Sequence, residues 1–387
     1  MEMVIARAGG DSSFEVDPKS TYAELWMGTH SNGPSRIVRD GKPAELLSDY
    51  LQEHPEAMGT TTGELPFLFK VLSVQKALSI QAHPDVALAR RLHATKPDLY
   101  KDANHKPEMA IALTQFEALS QFRKLSEIVG YLESVPELRA LVDDKIVQQL
   151  IGKQDVASLR AFFKSFIYAD LEVVTLQLQS LRSRLETQAQ NGRVALTPVE
   201  KLVLRLNAEY SNDIGCFCPY ILNYITLQPG EAVFLGANEP HAYLSGDCIE
   251  CMACSDNVVR AGLTPKYIDK VTLHEMLTYR TGPPTVFKGD KVNEMSRLYS
   301  PPVPEFQVEV IELAAYQHYA VPKREDSPSV LLVVSGSASG TCGEEAPFTL
   351  SKGSVFFVPA GEELDLRCGS DGISAFRASP NQSARQH

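Results

Sequence analysis

No stretch of 18 or more apolar residues occurs in the 387-residue chain, so no segment reads as a membrane-spanning helix. The N-terminus, MEMVIARAGGDSSFEVD, lacks an apolar centre followed by a cleavage site and does not read as a secretory signal. Cysteine is sparse and odd in number, seven in all, which fits reduced thiols in the cytoplasm better than a disulfide framework. A basic surplus is missing too. The formal net charge of −11 removes the cationic face that a general nucleic-acid binder needs. It leaves room for an anionic small substrate, because charges more than about 10 Å away are largely screened. None of the Gly-Ser pairs has phosphate-loop spacing, which excludes a nucleotide site of that kind.

The residues that are present, 44% hydrophobic and 22% charged, are those of a globular protein, long enough for two or three folding units. Their texture changes twice. From about Tyr22 to Leu119, short apolar runs rich in β-branched and aromatic residues (YAELWMGTH, LPFLFKVLSV, MAIALTQF) alternate with Gly, Pro and Asn breaks, predicting strands. VLSVQKALSIQAHPD reads either as two strands around a turn or as a strand and a helix. From about Ser120 to Asn212, apolar residues recur every three or four positions, predicting helices. Thr197, Pro198 and Glu200 form a helix start there. Strands return from about Tyr220. LQPGEAVFLGANEPHAY and LSKGSVFFVPAGEEL repeat one Gly–strand–turn–strand phrase, so two small antiparallel β-rolls are expected. The expected units are 1–119 with 213–290, a helical insertion at 120–212, and a second roll at 291–387.

Candidate metal ligands follow. In a strand, Gln81 and His83 point to one face; Glu108 lies in NHKPEMAIAL and His241 closes the first repeat phrase. Two imidazoles, a carboxylate and an amide oxygen suit zinc or a similar divalent ion with a position left open. Spacing alone does not single these four out among nine histidines. Cys248, Cys251 and Cys254 in CIECMAC have C-x-x-C spacing, but a strand would put Cys248 and Cys251 on opposite faces, so buried reduced thiols are expected, as for Cys216 and Cys218.

Four segments carry a resemblance: YAELWMGTH (Tyr22 to His30), SIQAHPD (Ser79 to Asp85), YKDANHKPE (Tyr100 to Glu108) and HAYLSGDCIECMACSDNVVRAGLTPK (His241 to Lys266). Their order and content are similar to the type I phosphomannose isomerase family, most clearly over the first 120 residues and from about 215 to 290. The resemblance implies a mainly β fold with an α insertion: two cupin-type antiparallel β-barrels (jelly rolls), the second non-catalytic, plus a helical domain. It implies one zinc per chain on Gln81, His83, Glu108 and His241. The implied reaction interconverts mannose 6-phosphate and fructose 6-phosphate through an enediol-like intermediate, feeding GDP-mannose synthesis and glycosylation. Arg260 matches the family's active-site arginine, a permanent cation suited to clamp an oxyanion and poor as a base. Asp256, Lys106 and His105 occupy motif positions, with Asp256 or Lys106 favoured as the base. Lys76, Ser79, Lys106 and Lys266 are candidates for the phosphate. The expected partner is a hexose 6-phosphate, without nucleic acid or membrane, for a cytoplasmic monomer. Two readings compete: another metal-dependent cupin enzyme, with redox iron on a 2-His-1-carboxylate set, and a non-catalytic sugar-phosphate binder. The family's usual first strand and Tyr-x-Trp-Gly turn are replaced here by MEMVIARAGGDSSFEVDPKS, so a missing or altered first strand is expected, with folding or activity impaired.

Overall fold

The computed structural model describes residues 17, 19–39, 42–61, 63–192, 194–343 and 347–386; the replaced N-terminal stretch lies almost wholly outside them. Among the described residues the chain forms two large antiparallel sheets and a two-stranded hairpin, Arg36–Arg39 with Lys42–Leu46, and a helical segment is inserted between two strands of the first sheet. The first sheet has ten strands, ordered Glu24–Met27, Phe67–Val74, His241–Ala253, Glu108–Ala112, Ala232–Leu235, Val286–Phe287 along its main path. Ile80–Ala82, Phe116–Phe122, Leu222–Leu227 and Val259–Gly262 pair off that path. The second sheet has eight strands, built on the long pair Ser329–Cys342 and Leu364–Ser379. The ambiguous VLSVQKALSIQAHPD segment resolves as two strands around a turn.

Side-chain alternation explains the layering. Phe67, Phe69, Val71, Met109, Ile111, Ile249 and Cys251 point outward from the first sheet onto Val308, Val310, Val330, Leu332, Phe376 and Ala378 of the second. The residues between them, Leu72, Val74, Ala110, Ala112 and Cys248, point inward and enclose the first roll's own interior. Cys248 and Cys251 thus lie on opposite faces and all the cysteines are free thiols. The second sheet repeats the arrangement, with Ile311, Leu331, Val333 and Ala375 inside its roll.

The helices begin at Leu125, not at Ser120, because the strand Phe116–Phe122 runs on to pair with Leu222–Leu227. The predicted start at Thr197 is a reciprocal cap: Glu200 N donates to Thr197 Oγ1 at 3.2 Å and Thr197 N donates to Glu200 Oε2 at 2.8 Å. Phe162, Phe163, Phe166, Leu178, Leu202 and Leu206 fill the helical core, which merges with Phe122, Phe217 and Tyr279 at the edge of the first sheet. Among the described residues no helix is long and apolar enough to cross a membrane.

Candidate metal centre and active-site cavity

Five antiparallel pairings converge at one end of the first roll. His241 opens its strand opposite Gln81 and Ser120. Glu108 opens its strand opposite Met252 and Leu235. Arg260 lies opposite Gln81 on the other side. His83, Glu108 and His241 are all buried, and their ligand atoms lie within 4.8 Å of one another.

The tautomers of both histidines are set by main-chain carbonyls. His83 Nδ1 lies 2.7 Å from the Asn257 carbonyl, and His241 Nδ1 lies 3.0 Å from that of Glu239. A carbonyl only accepts, so each Nδ1 carries a proton, and in a neutral imidazole Nε2 then presents its lone pair. Those lone pairs face a carboxylate: His83 Nε2 is 3.3 Å from Glu108 Oε1, and His241 Nε2 is 3.2 Å from Glu108 Oε2. Glu108 Oε2 and His241 Nε2 are buried without a hydrogen-bond partner among the described residues. Acceptors facing acceptors are costly, since an unsatisfied buried polar atom costs about 1–3 kcal/mol, and a cation between them removes that cost. The residues therefore fit a divalent metal with mixed N/O ligands.

Burial pulls His83 down to about 4, keeping the imidazole neutral and fit to ligate. Burial by itself raises the Glu108 carboxyl, but its surroundings, with the Lys106 ammonium as the permanent cation beside it, hold it well below the usual range. Lys106 Nζ lies 3.1 Å from Glu108 Oε1. The Gln81 side chain reaches the same spot, with Nε2 3.5 Å from His83 Nε2 and Oε1 accepting from Ser79 Oγ at 3.2 Å.

This centre opens into a cavity of about 350 Å³, within the size range of small-molecule sites. Of the predicted residues, Gln81, Glu108, His241, Lys106, Arg260, Ser79 and Lys266 line it. Burial lowers the Arg260 guanidinium from its usual value, and no carboxylate pairs with it among the described residues. Asp256, His105 and Lys76 are not among the cavity's lining residues, although Lys76 sits against one that is, Tyr210. Asp256 is exposed and held by His30 Nε2 at 3.4 Å and Asn32 Nδ2 at 3.0 Å. His105 Nε2 lies 2.7 Å from Glu305 Oε1, across the junction with the second sheet. Lys76 is exposed, with its Nζ over the Tyr210 ring at 4.2 Å.

Sequence reasoning missed the buried pair Lys70–Glu250, 3.1 Å apart in the cavity, with Glu24 at 3.8 Å from the same ammonium. Burial alone lowers Lys70, but Glu250, Glu24 and Glu108 outweigh it and raise it. A lysine in FLFKVLSV, amid buried neighbours, was the available signal. Also missed was the network behind His83: Asn257 Nδ2 donates to the carbonyls of Asp102 and Asn104 at 2.8 and 2.9 Å, and Asp102 Oδ1 accepts from Ser255 Oγ at 2.9 Å.

Comparison with known proteins bears on the same residues. The family model described as phosphomannose isomerase type I, catalytic domain, matches residues 2–125, and the one described as its helical insertion domain matches residues 137–222. The likeness thus runs from residue 2 and through the helices, where the motifs alone gave little. The chain is 44% identical over 384 residues to mannose-6-phosphate isomerase 1 of Arabidopsis thaliana, covering 96% of this chain and 88% of that one. It is 44% identical over 377 residues to mannose-6-phosphate isomerase of Homo sapiens, covering 93% and 89%. The crystal structure of an Arg-to-Ala mutant of phosphomannose isomerase from Salmonella typhimurium superposes with a TM-score of 0.82 at 31% identity, covering 95% of this chain and 93% of that one. Fold, ligand chemistry and near-full-length identity agree, and the chain belongs to the type I phosphomannose isomerase family.

Proposed function

We infer that this enzyme interconverts mannose 6-phosphate and fructose 6-phosphate with one zinc ion held by Gln81, His83, Glu108 and His241. The observation that carries the reading is the pair of orphaned acceptors, Glu108 Oε2 and His241 Nε2, 3.2 Å apart at the floor of a cavity. Bound there, zinc would supply Lewis-acid polarisation of the sugar's C1 and C2 oxygens.

The protein's own groups do the rest. Aldose–ketose isomerisation moves a proton between neighbouring carbons while negative charge builds on oxygen. Arg260, half-buried and without a carboxylate partner among the described residues, is free to meet that charge. Proton transfer falls to titratable groups inside the cavity: Lys106 beside Glu108, and Glu250, held by Lys70. Asp256 and His105 are engaged outside it, which favours Lys106 over Asp256 as the motif residue that acts. Ser79 and Lys266, on the wall and at its exposed rim, suit the phosphate. The domain reading that goes with this places catalysis in the unit of 1–119 and 213–290, with 120–212 and 291–387 supporting it.

Turnover of mannose 6-phosphate in a coupled assay tests the reading. Activity should vanish on treatment with a chelator and return with stoichiometric zinc, with elemental analysis giving one ion per chain. Full turnover in metal-free protein, or none in metal-loaded protein, would refute it.

A further inference from the structure

The helical segment rejoins the first sheet through the short turn of helix Ile214–Tyr220, and Asp213 stands at that junction. Its Oδ1 accepts from Gly215 N at 2.7 Å and from Leu263 N at 2.8 Å; its Oδ2 accepts from Thr264 N at 3.0 Å. One carboxylate thus caps the turn and grips the main chain of a distant segment. Leu263, Thr264, Pro265 and Lys266 all line the cavity, just beyond Arg260.

That wall needs holding. Leu263 has φ +53°, a conformation that a bulky L residue adopts only when its surroundings impose it. The pairing of Val259–Gly262 with Ile80–Ala82 shifts register between Arg260 and Gly262 and ends at Gly262 opposite Ile80, so no strand ladder guides the chain from Leu263 onward. The two segments meet backbone to backbone. A Cβ on Gly262 would lie 2.8 Å from Gly215 Cα, and one on Gly215 would lie 2.7 Å from Leu263 N. Arg260 is before the shift and still paired with Gln81. The metal-ligating histidines are anchored separately, on Asn257 and Glu239.

We propose that Asp213 is a positioning residue for the sugar-phosphate site, fixing Leu263 and Thr264 so that the wall from Leu263 to Lys266 is preformed. Substrate affinity depends on it; metal retention and the chemical step do not. The inference rests on the reading of this cavity as the substrate site.

Asp213→Ala and Asp213→Asn in the full, metal-loaded chain test it, with glucitol 6-phosphate, which has no carbonyl to isomerise, as the equilibrium probe. Asp213→Ala removes all three acceptor contacts; it should raise KM for mannose 6-phosphate and weaken glucitol 6-phosphate binding about tenfold, with kcat changed by less than about threefold. Metal content should match the unsubstituted chain. Asp213→Asn, which keeps Oδ1 toward Gly215 and Leu263 but sets an amide N–H₂ against Thr264 N–H, should fall between. Unaltered KM and probe affinity in either folded variant would overturn the proposal, as would a loss confined to kcat or to metal content. If Asp213→Ala does not fold, Asp213→Asn decides by the same criteria. An unsubstituted protein that neither binds the probe nor turns over mannose 6-phosphate would instead refute the reading of the cavity.

Discussion

The two rolls place opposite charges at matching positions, with the signs exchanged. In the first, Glu250 lies between Lys70 on one neighbouring strand and Ala110 on the other. In the second, Arg377 lies between Glu309 and Leu331. The repeat phrases align Leu235 with Val358; Glu108 faces the former and Ser329 the latter. The same alignment sets His241, which opens its strand, against Leu364, which opens the other. So Lys70–Glu250 answers to Glu309–Arg377, Glu108 to Ser329 and His241 to Leu364. An inward cross-strand ion pair is therefore a property of the frame, present in both rolls. Convergent acceptors are what the first roll adds. In the second, Arg377 Nε donates to Ser329 Oγ at 2.8 Å, so a donor meets an acceptor where the first roll sets acceptor against acceptor.

Substitution at the matched pair of positions breaks this comparison most sharply. Glu108→Gln should abolish stoichiometric metal binding and lower kcat by about 10³-fold or more, whereas Ser329→Ala should leave turnover within about twofold and cost about 1 kcal/mol of stability. Equal losses in the two variants would mean that the second roll shares in the chemistry. The ion pairs come next. Arg377 is 1% exposed, and Arg377→Met leaves Glu309 buried with only Arg324 at 3.5 Å. The variant should lose about 3 kcal/mol in urea unfolding with KM and kcat unchanged at temperatures where it stays folded.

The smallest effect concerns acid. Burial raises Glu117, but hydrogen bonds from Ser245, Tyr224 and Arg205 outweigh it, and its carboxyl sits below the ordinary 4.5. A carboxyl depressed in the folded chain contributes stability above its unfolded value and loses it as pH falls through the folded one. The unfolding temperature should drop below about pH 4.5, and Glu117→Gln should flatten that drop by an amount readable in a pH series of thermal melts. An unaltered slope would show that the joint between Arg205 of the insertion and the first roll adds nothing.

The legibility of the sequence divides along a physical line. Local rules performed well: the Thr197 cap, the opposed faces of Cys248 and Cys251, and the two-roll repeat all depend on neighbours a few residues away. The gathering of His83, Glu108 and His241 was legible because family resemblance named those residues; spacing has no means to bring Glu108 and His241 to His83. What stayed hidden depends on register. Lys70 meets Glu250 through a pairing between strands far apart in the chain, and no periodicity specifies which rung faces which. Asp256 and His105 looked equivalent to Lys106 in their motifs; only the turn of the chain directs the first to His30 and the second to Glu305. The end of Phe116–Phe122 was misread as helix for the same reason, since its pairing with Leu222–Leu227 is non-local.

The acceptors that orient His83 and His241 are main-chain carbonyls, those of Asn257 and Glu239. Every amino acid carries that group. A change of side chain removes no acceptor as such; what must persist is the course of the main chain, which at position 257 the Asn257 side chain itself fixes through Asp102 and Asn104. Orientation of the candidate ligands is thus a property of the backbone path, and the substitutions that disturb it are those that move that path.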